Sequence, residues 1–380
     1  MIGRVKIERR ELDILASYAA KASQSQGRVY PALEHPLRTC FQRDRDRVIH
    51  SSAFRRMEYK TQVFLPHEGD HFRTRLTHTL EVAQISRTMA RALGLNEDLT
   101  EAMALVHDLG HTPFGHAGED VLNELLTDHG GFNHNRQTLR VVDLIEQRYL
   151  EHPGLNLTFE VREGIAKHET KNRIIRPEFD PALRPTLEAS LVDLADEIAY
   201  NAHDIDDGLR AELISIDDLK PLAIWDERDR ALFSGLGVTG VLVDDQKRHL
   251  LVRQVVNAVV TDVLLHTEGQ LHKLGITDLQ SVRTADQRIC AYSPIMAPRV
   301  AELKQFLRLR LYRHPKLMSL TERAREIITV MFKRLGHDPT QLPRRYQEML
   351  LTEDRDIVVA DYIAGMTDRY AERLYEAERT

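Results

Sequence analysis

The sequence predicts an all-α protein, and three observations carry that expectation. Apolar residues recur at helical spacing in successive stretches, as with His78, Val82, Ile85 and Met89, or Leu191, Leu194, Ile198, Ala202 and Ile205. Breakers such as Gly94, Pro153-Gly154, Gly336, Pro339 and Pro343 fall between those stretches rather than within them. Only residues 62–75 read as extended chain, at most a short β-hairpin in which Gln62-Val63-Phe64-Leu65 and Phe72-Arg73-Thr74-Arg75 flank Pro66-His67-Glu68-Gly69-Asp70. With 380 residues, 42% hydrophobic and 29% charged, the chain has the composition of a soluble globular protein. We expect one helical domain over 1–380, with a core at about 40–210 and a helical extension at about 211–380.

Composition also narrows compartment and partners. A net charge of -6 gives no global attraction to nucleic acid, although a local basic patch is compatible with it. Cys40 and Cys290 lie far apart, which suggests neither a disulfide framework nor a thiolate metal site. The N-terminus lacks a sustained apolar run and no stretch reads as the roughly 18 apolar residues that span a bilayer. The expected location is the cytoplasm, with no membrane partner.

Taken in order, residues 1–30 read as a helix followed by a polar segment. Between Arg38 and Gln62 charges alternate densely, as in Arg43-Asp44-Arg45-Asp46-Arg47. Either these are Arg–Asp pairs on a solvated helix, or some of the arginines face a polyanion, for which a planar fork of donors is suited. After the hairpin, a helix begins near Thr77 and places His78 at the edge of its apolar stripe. Asn96 caps the next helix, whose inward residues Leu99, Met103 and Val106 lead into His107-Asp108 just before Gly110. Neighbouring helical side chains diverge by about 100°. At a helix end that unwinds into Leu109-Gly110, consecutive His and Asp can converge on one ion.

The stretch from His107 to Glu119 gathers three histidines, two acids, three glycines and a proline in thirteen positions, a density that neither an ordinary helix nor an ordinary loop requires. A helix over 114–126 sets His116 and Glu119 three apart on one face. A polar loop at 129–137 carries His134, and a structural helix is expected from Leu139 to Leu150. Lys167 and His168 are either surface residues or phosphate contacts. The helix from Leu187 to Leu209 sets Asp193, Asp196, Tyr200 and Asp204 opposite its apolar stripe, with Asp196, Tyr200 and Asp204 four apart. Further helical patterns occupy about 246–267, 298–312, 321–335 and 353–376.

A helix-start histidine, a His-Asp pair and a later aspartate form a His2Asp2 set, and here the chain resembles the HD-domain metal-dependent phosphohydrolases. It is similar to one branch in particular, the dGTPase-like deoxynucleoside triphosphate triphosphohydrolases. The resemblance is carried by Arg43-Asp44-Arg45-Asp46-Arg47-Val48-Ile49-His50-Ser51-Ser52-Ala53-Phe54-Arg55-Arg56, Thr74-Arg75-Leu76-Thr77-His78-Thr79-Leu80-Glu81-Val82 and the His107-to-Glu119 stretch. Asp196-Glu197-Ile198-Ala199-Tyr200 and Asp361-Tyr362-Ile363-Ala364-Gly365-Met366-Thr367-Asp368 extend it over most of the chain.

The resemblance implies hydrolysis of a dNTP to deoxynucleoside and triphosphate through attack at the α-phosphorus. It implies metal ligation by His78, His107, Asp108 and Asp196, and catalysis by His116 and Glu119, with His134 matching a catalytic position in some relatives. Arg75, His111, Tyr200 and Asp204 match residues that contact or position the nucleotide, Gln62 and Val63 those that crowd the deoxyribose, and Lys167 is a further candidate for phosphate. One divalent ion per site is expected, Mn or Mg from the mixed N/O donors, with Fe, Co, Ni or Zn also compatible. The family further implies a homo-oligomer, hexamer or tetramer, and in some members a nucleotide activator bound between subunits. The chain is shorter than the members strictly specific for dGTP, so a strict guanine preference is not implied. Two other readings compete: a different HD reaction, such as a 5'-nucleotidase or alarmone hydrolase, and a non-catalytic nucleotide or single-stranded DNA binder that uses residues 38–56.

Overall fold

The computed structural model describes residues 2–62, 73–168, 174, 176–225 and 244–377. Among these residues are seventeen α-helices and no β-strand. Their only extended pairings are isolated bridges of Arg28 with Thr158, Thr61 with Thr74 and Gln147 with Gly154. The Thr61–Thr74 bridge closes the base of the segment read as a hairpin; residues 63–72, Val63 included, lie outside the described residues.

Nine helices precede residue 211: α1 (Arg4–Ile14), α2 (Cys40–Ile49), α3 (Ser52–Arg56), α4 (Arg75–Ala92), α5 (Glu97–Val106), α6 (Gly115–Leu125), α7 (His134–Arg140), α8 (Phe159–Lys167) and α9 (Leu187–Arg210). Then come α10 (Ile216–Leu219), α11 (Asp244–Lys273), α12 (Leu279–Arg283), α13 (Met296–Leu307), α14 (Pro315–His337), α15 (Arg344–Met349), α16 (Arg355–Ala364) and α17 (Asp368–Glu376). Helices α4, α5 and α9 pack on one another at the centre. α5 is apolar almost all round, with Leu99, Ala102, Met103, Leu105 and Val106 buried, as befits a helix enclosed by others. Replacing fully buried Leu99 by Ala would cost about 2–5 kcal/mol, from lost transfer free energy and the cavity left behind. The later helices close over this core: α11 and α13 lie on α9, and α14 packs against α6, α16 and α17.

Charge in the Arg43–Arg47 run is divided: Arg43, Arg45 and Asp46 are part-exposed, whereas Asp44 and Arg47 face inward. Asp44 is fully buried; it pairs with Arg28 and accepts from the Thr158 backbone N–H at 3.0 Å and hydroxyl at 2.6 Å. Arg47 donates to the carbonyls of Leu155 at 2.5 Å and Asn156 at 2.9 Å. These charges staple α2 to the segment before α8, because the carbonyls there have no helical or sheet partner and need buried donors.

Other expectations shift in detail. The helix expected over 139–150 starts instead at His134, where the Asn133 side chain accepts from the N–H groups of Asn135 and Arg136, and ends in a π turn at Val141–Ile145. Gly154 permits that ending: a Cβ there would fall 2.3 Å from the Val142 carbonyl. The pattern over 353–376 is two helices, capped separately by Asp354 and Thr367. The expectation that no stretch is long and apolar enough to span a bilayer is corrected at α11, where Asp245–Lys273, with a mean hydropathy of 1.3, suffices by length and composition. Leu251, Val255, Val259 and Val263 on its four-residue stripe are buried, and the helix packs on α9.

Candidate active site

The site is assembled where α4 begins, α5 ends and α9 passes. Thr74 and Thr77 form a reciprocal cap at the start of α4, which fixes the first turn and places Arg75 and His78 on one buried face. At the far end of α5, His107 keeps helical angles (φ -56°, ψ -36°) while the chain turns away at Asp108. Consecutive His107 and Asp108 therefore converge: donor atoms of His78, His107 and Asp108 all lie within 4.8 Å of one another. Asp196 from α9 completes the group, its Oδ1 2.9 Å from His78 Nε2 and 3.6 Å from His107 Nε2.

The donor set fits a divalent cation. His107 Nδ1 lies 2.7 Å from the Ala104 carbonyl and must carry its proton there, which leaves Nε2 bare, buried and without a hydrogen-bond partner among the described residues. Two imidazoles and two carboxylates are a hard-to-borderline set suited to Mn, Mg, Fe, Co, Ni or Zn. Burial alone would lift the Asp108 carboxyl, but Arg75, His111 and His107 hold it well below the usual range. Arg75 supplies only one arm to it, Nη1 to Oδ2 at 3.0 Å; its Nε and Nη2 are buried and unpartnered among the described residues.

A second cluster stands beside the first. The turn between α5 and α6 is compact enough to require glycine. A Cβ on Gly110 would lie 2.2 Å from the Thr138 backbone nitrogen and one on Gly118 2.2 Å from the Pro113 carbonyl. Phe114 takes a left-handed φ of 61° to enter α6, and its N–H donates to Asp368 at 2.9 Å. So folded, the turn presents Glu119 to His134, whose Nδ1 is 2.9 Å and backbone N–H 2.8 Å away, and to His116 Nδ1 at 3.6 Å. Burial opposes ionisation of Glu119, yet hydrogen bonds from His116 and His134 hold its carboxyl far below the usual range. His111 stacks on His134 at 4.0 Å and faces Asp108 at 3.1 Å; burial and Arg75 push it well below its ordinary value. The His116 side chain is 57% exposed and reaches into open space.

Two adjoining cavities meet here. One, of about 420 Å³, is lined by Arg75, His78, Asp108, His111, His134 and Asp196, with Arg288 and Lys304 from the C-terminal half. The other, of about 370 Å³, has Phe114, Ala117, Tyr312, Leu317 and Leu320 on its walls. Gln62, His116 and Tyr200 line both and mark the junction.

Most candidate residues are thus brought together, with three exceptions. Val63 lies outside the described residues. Lys167 is turned to structural work: its ammonium donates to Glu163 at 2.8 Å and to the carbonyls of Asp180 at 2.8 Å and Leu183 at 2.7 Å, so it is not offered to a phosphate. Asp204 is fully buried, and both its oxygens lack partners among the described residues, but it does not line either cavity. Burial and Asp207 push its carboxyl well above the usual range, and neither cavity reaches the residue, to which the resemblance gave a nucleotide-positioning role.

Other residues join the site: His168, read from the sequence as either a surface residue or a phosphate contact, and His203, which the sequence did not single out. His168 is buried, pairs through Nδ1 with Asp193, and faces Asp196 Oδ2 with Nε2 at 3.7 Å. His203 stands 3.3 Å behind His78. Its spacing of seven from Asp196, two turns along one face, was the available signal. Arg288 and Lys304 carry no local signal, since only tertiary packing brings them near.

Known proteins resemble this chain over nearly its whole length. Residues 75–201 match the HD domain and residues 290–377 the phosphohydrolase-associated domain. A protein of Azoarcus sp. (strain BH72) is 50% identical over 363 residues, covering 94% of each chain. One of Geobacter sulfurreducens is 46% identical over 95% of each, and one of Thiobacillus denitrificans 49% identical over 96% of this chain and 98% of its own. All three are named deoxyguanosinetriphosphate triphosphohydrolase-like proteins.

Proposed function

Because the chain belongs to the HD-domain phosphohydrolase family of deoxyguanosinetriphosphate triphosphohydrolase-like proteins, we propose that it hydrolyses deoxynucleoside triphosphates to deoxynucleoside and triphosphate. The observation that carries this reading is the pair of cavities. One is lined by cationic and ligand-type side chains, the other by aromatic and aliphatic ones, and they meet at His116, Gln62 and Tyr200. That division suits a molecule with a polyanionic tail and a flat, largely apolar head, whose reacting bond lies at the junction.

A divalent cation held by His78, His107, Asp108 and Asp196 supplies, when bound, charge neutralisation at phosphate oxygens and a more acidic water. The rest is done by the chain's own groups. Arg75 has a guanidinium edge without a partner among the described residues, open to two phosphate oxygens, and Arg288 counters the charge of the tail, with Lys304, paired to Glu197 at 2.9 Å, on the same wall. Water adds at the α-phosphorus and the bond to the 5'-oxygen breaks. His116, oriented through Nδ1 by Glu119, donates a proton from its outer nitrogen to the departing 5'-oxygen. His134 keeps Glu119 in place through its ring and its backbone N–H. Gln62 and Tyr200 flank the sugar.

The reading is tested by incubating the protein with Mn²⁺ and each dNTP, singly and in mixtures. Triphosphate is expected from at least one of them, and Asp196→Ala should abolish both turnover and Mn²⁺ binding. Turnover of nucleoside monophosphates alone would favour the 5'-nucleotidase alternative.

A further inference from the structure

His78 has two ring nitrogens, and the site described so far uses only Nε2. Its Nδ1 points the other way, to Nδ1 of His203 on α9 at 3.3 Å, with the two rings nearly perpendicular at 85°. Nε2 of His203 in turn meets the carboxylate of Glu81, which lies on α4 three residues after His78. The three side chains form a closed circuit that leaves α4 and returns to it. Both histidines are buried, and Glu81 is half-exposed.

The proton positions in this circuit follow from chemistry. Two imidazole nitrogens in contact share one proton, so one must donate and the other accept. An ionised carboxylate accepts only, which places a proton on His203 Nε2. A neutral His203 then has a bare Nδ1 and accepts from His78 Nδ1–H. His78 is left with an unprotonated Nε2, directed toward Asp196 Oδ1 at 2.9 Å. Without this circuit His78 would be free to adopt the opposite tautomer, whose Nε2–H cannot ligate a cation.

We propose that His203 and Glu81 are positioning residues that fix His78 in its ligating tautomer and thereby set the affinity of the protein for a divalent cation. This rests on the reading of His78, His107, Asp108 and Asp196 as the ligand set. Groups that orient a ligating histidine are worth about 10–100-fold in metal affinity.

Calorimetric titration of the metal-free, full-length protein with Mn²⁺ tests it, alongside circular dichroism of each variant to establish that the helical fold is kept. In His203→Asn the amide oxygen occupies the place of Nδ1 and still accepts; in His203→Leu nothing does. His203→Leu should bind Mn²⁺ about 10–100-fold more weakly, while His203→Asn should stay within about three-fold of the natural protein. Glu81→Ala, at a half-exposed position, should weaken binding in the same direction and keeps the test open if His203→Leu fails to fold. Undiminished affinity in His203→Leu or Glu81→Ala, or an equal loss in the Asn and Leu variants, would overturn the proposal alone. If Asp196→Ala binds Mn²⁺ as well as the natural protein does, the ligand set itself is wrong and the proposal falls with it.

Discussion

Glu119 is a partly buried carboxylate facing three imidazoles, and its ionisation has a definite cause: the hydrogen bonds from His116 and His134 outweigh the desolvation that would neutralise it. Its contribution to proton transfer should therefore depend on its charge rather than its bulk. Glu119→Gln is expected to lower kcat by about 10²–10⁴-fold, the usual range for general acid–base assistance, with Mn²⁺ affinity unchanged, as steady-state kinetics and calorimetry on one preparation would reveal. A loss of metal binding instead would show that Glu119 supports the ligand set rather than His116. Lys167 teaches the opposite lesson. Glu163 stands one helical turn before it, and that i,i+4 pairing was readable in the sequence as the mark of a cation already engaged.

At the scale of elements, the turn between α5 and α6 decides whether the two clusters face each other. Gly110 and Gly118 are each pressed against backbone, where a side chain would need the surrounding chain to move. Gly110→Ala should destabilise the protein by about 1–3 kcal/mol through overpacking and reduce turnover by displacing His111, measurable by thermal unfolding and initial rates. Asp368, at the start of α17, accepts from the N–H groups of Thr61 at 2.8 Å and Phe114 at 2.9 Å, and from the Thr61 hydroxyl. Asp368→Ala leaves these donors unsatisfied at about 1–3 kcal/mol each. Stability and activity should fall together, because Phe114 loses the acceptor that holds its left-handed turn.

Across the whole molecule, the C-terminal helices and the core are joined at Lys60. Its ammonium donates to the carbonyls of His111 and, at 2.8 Å, of Ala364. Burial, with Arg56 and Arg75 adding, pushes it down to about 7. An unfolded lysine titrates near about 10.4, so between these values the unfolded chain holds a proton that the folded chain lacks. Stability from this group therefore rises with pH across that window. The melting temperature of the natural protein minus that of Lys60→Met should be larger at about pH 9 than at about pH 6.5; an unchanged difference would mean that Lys60 titrates normally.

The same scale explains what the sequence made legible. His78, His107 and Asp108 announced themselves because each sits at a helix start or end, where caps and breakers give local signals, and Asp196 because it shares a face with Tyr200. Asp44 and Arg47 looked like solvated charges because their partners, Thr158, Leu155 and Asn156, are more than a hundred residues away. His168, His203, Arg288 and Lys304 acquire meaning only once α4, α9 and the C-terminal helices are packed. The helix expected at 139–150 moved because Asn133 offered a stronger cap upstream than the apolar pattern alone revealed.

The central claim is cleavage between the α-phosphorus and the 5'-oxygen, and isotopic labelling tests it most directly. Turnover of a dNTP with Mn²⁺ in ¹⁸O-enriched water, followed by mass spectrometry, should yield unlabelled deoxynucleoside and triphosphate bearing a single ¹⁸O. Release of pyrophosphate with a deoxynucleoside monophosphate, or of orthophosphate with a diphosphate, would contradict the account.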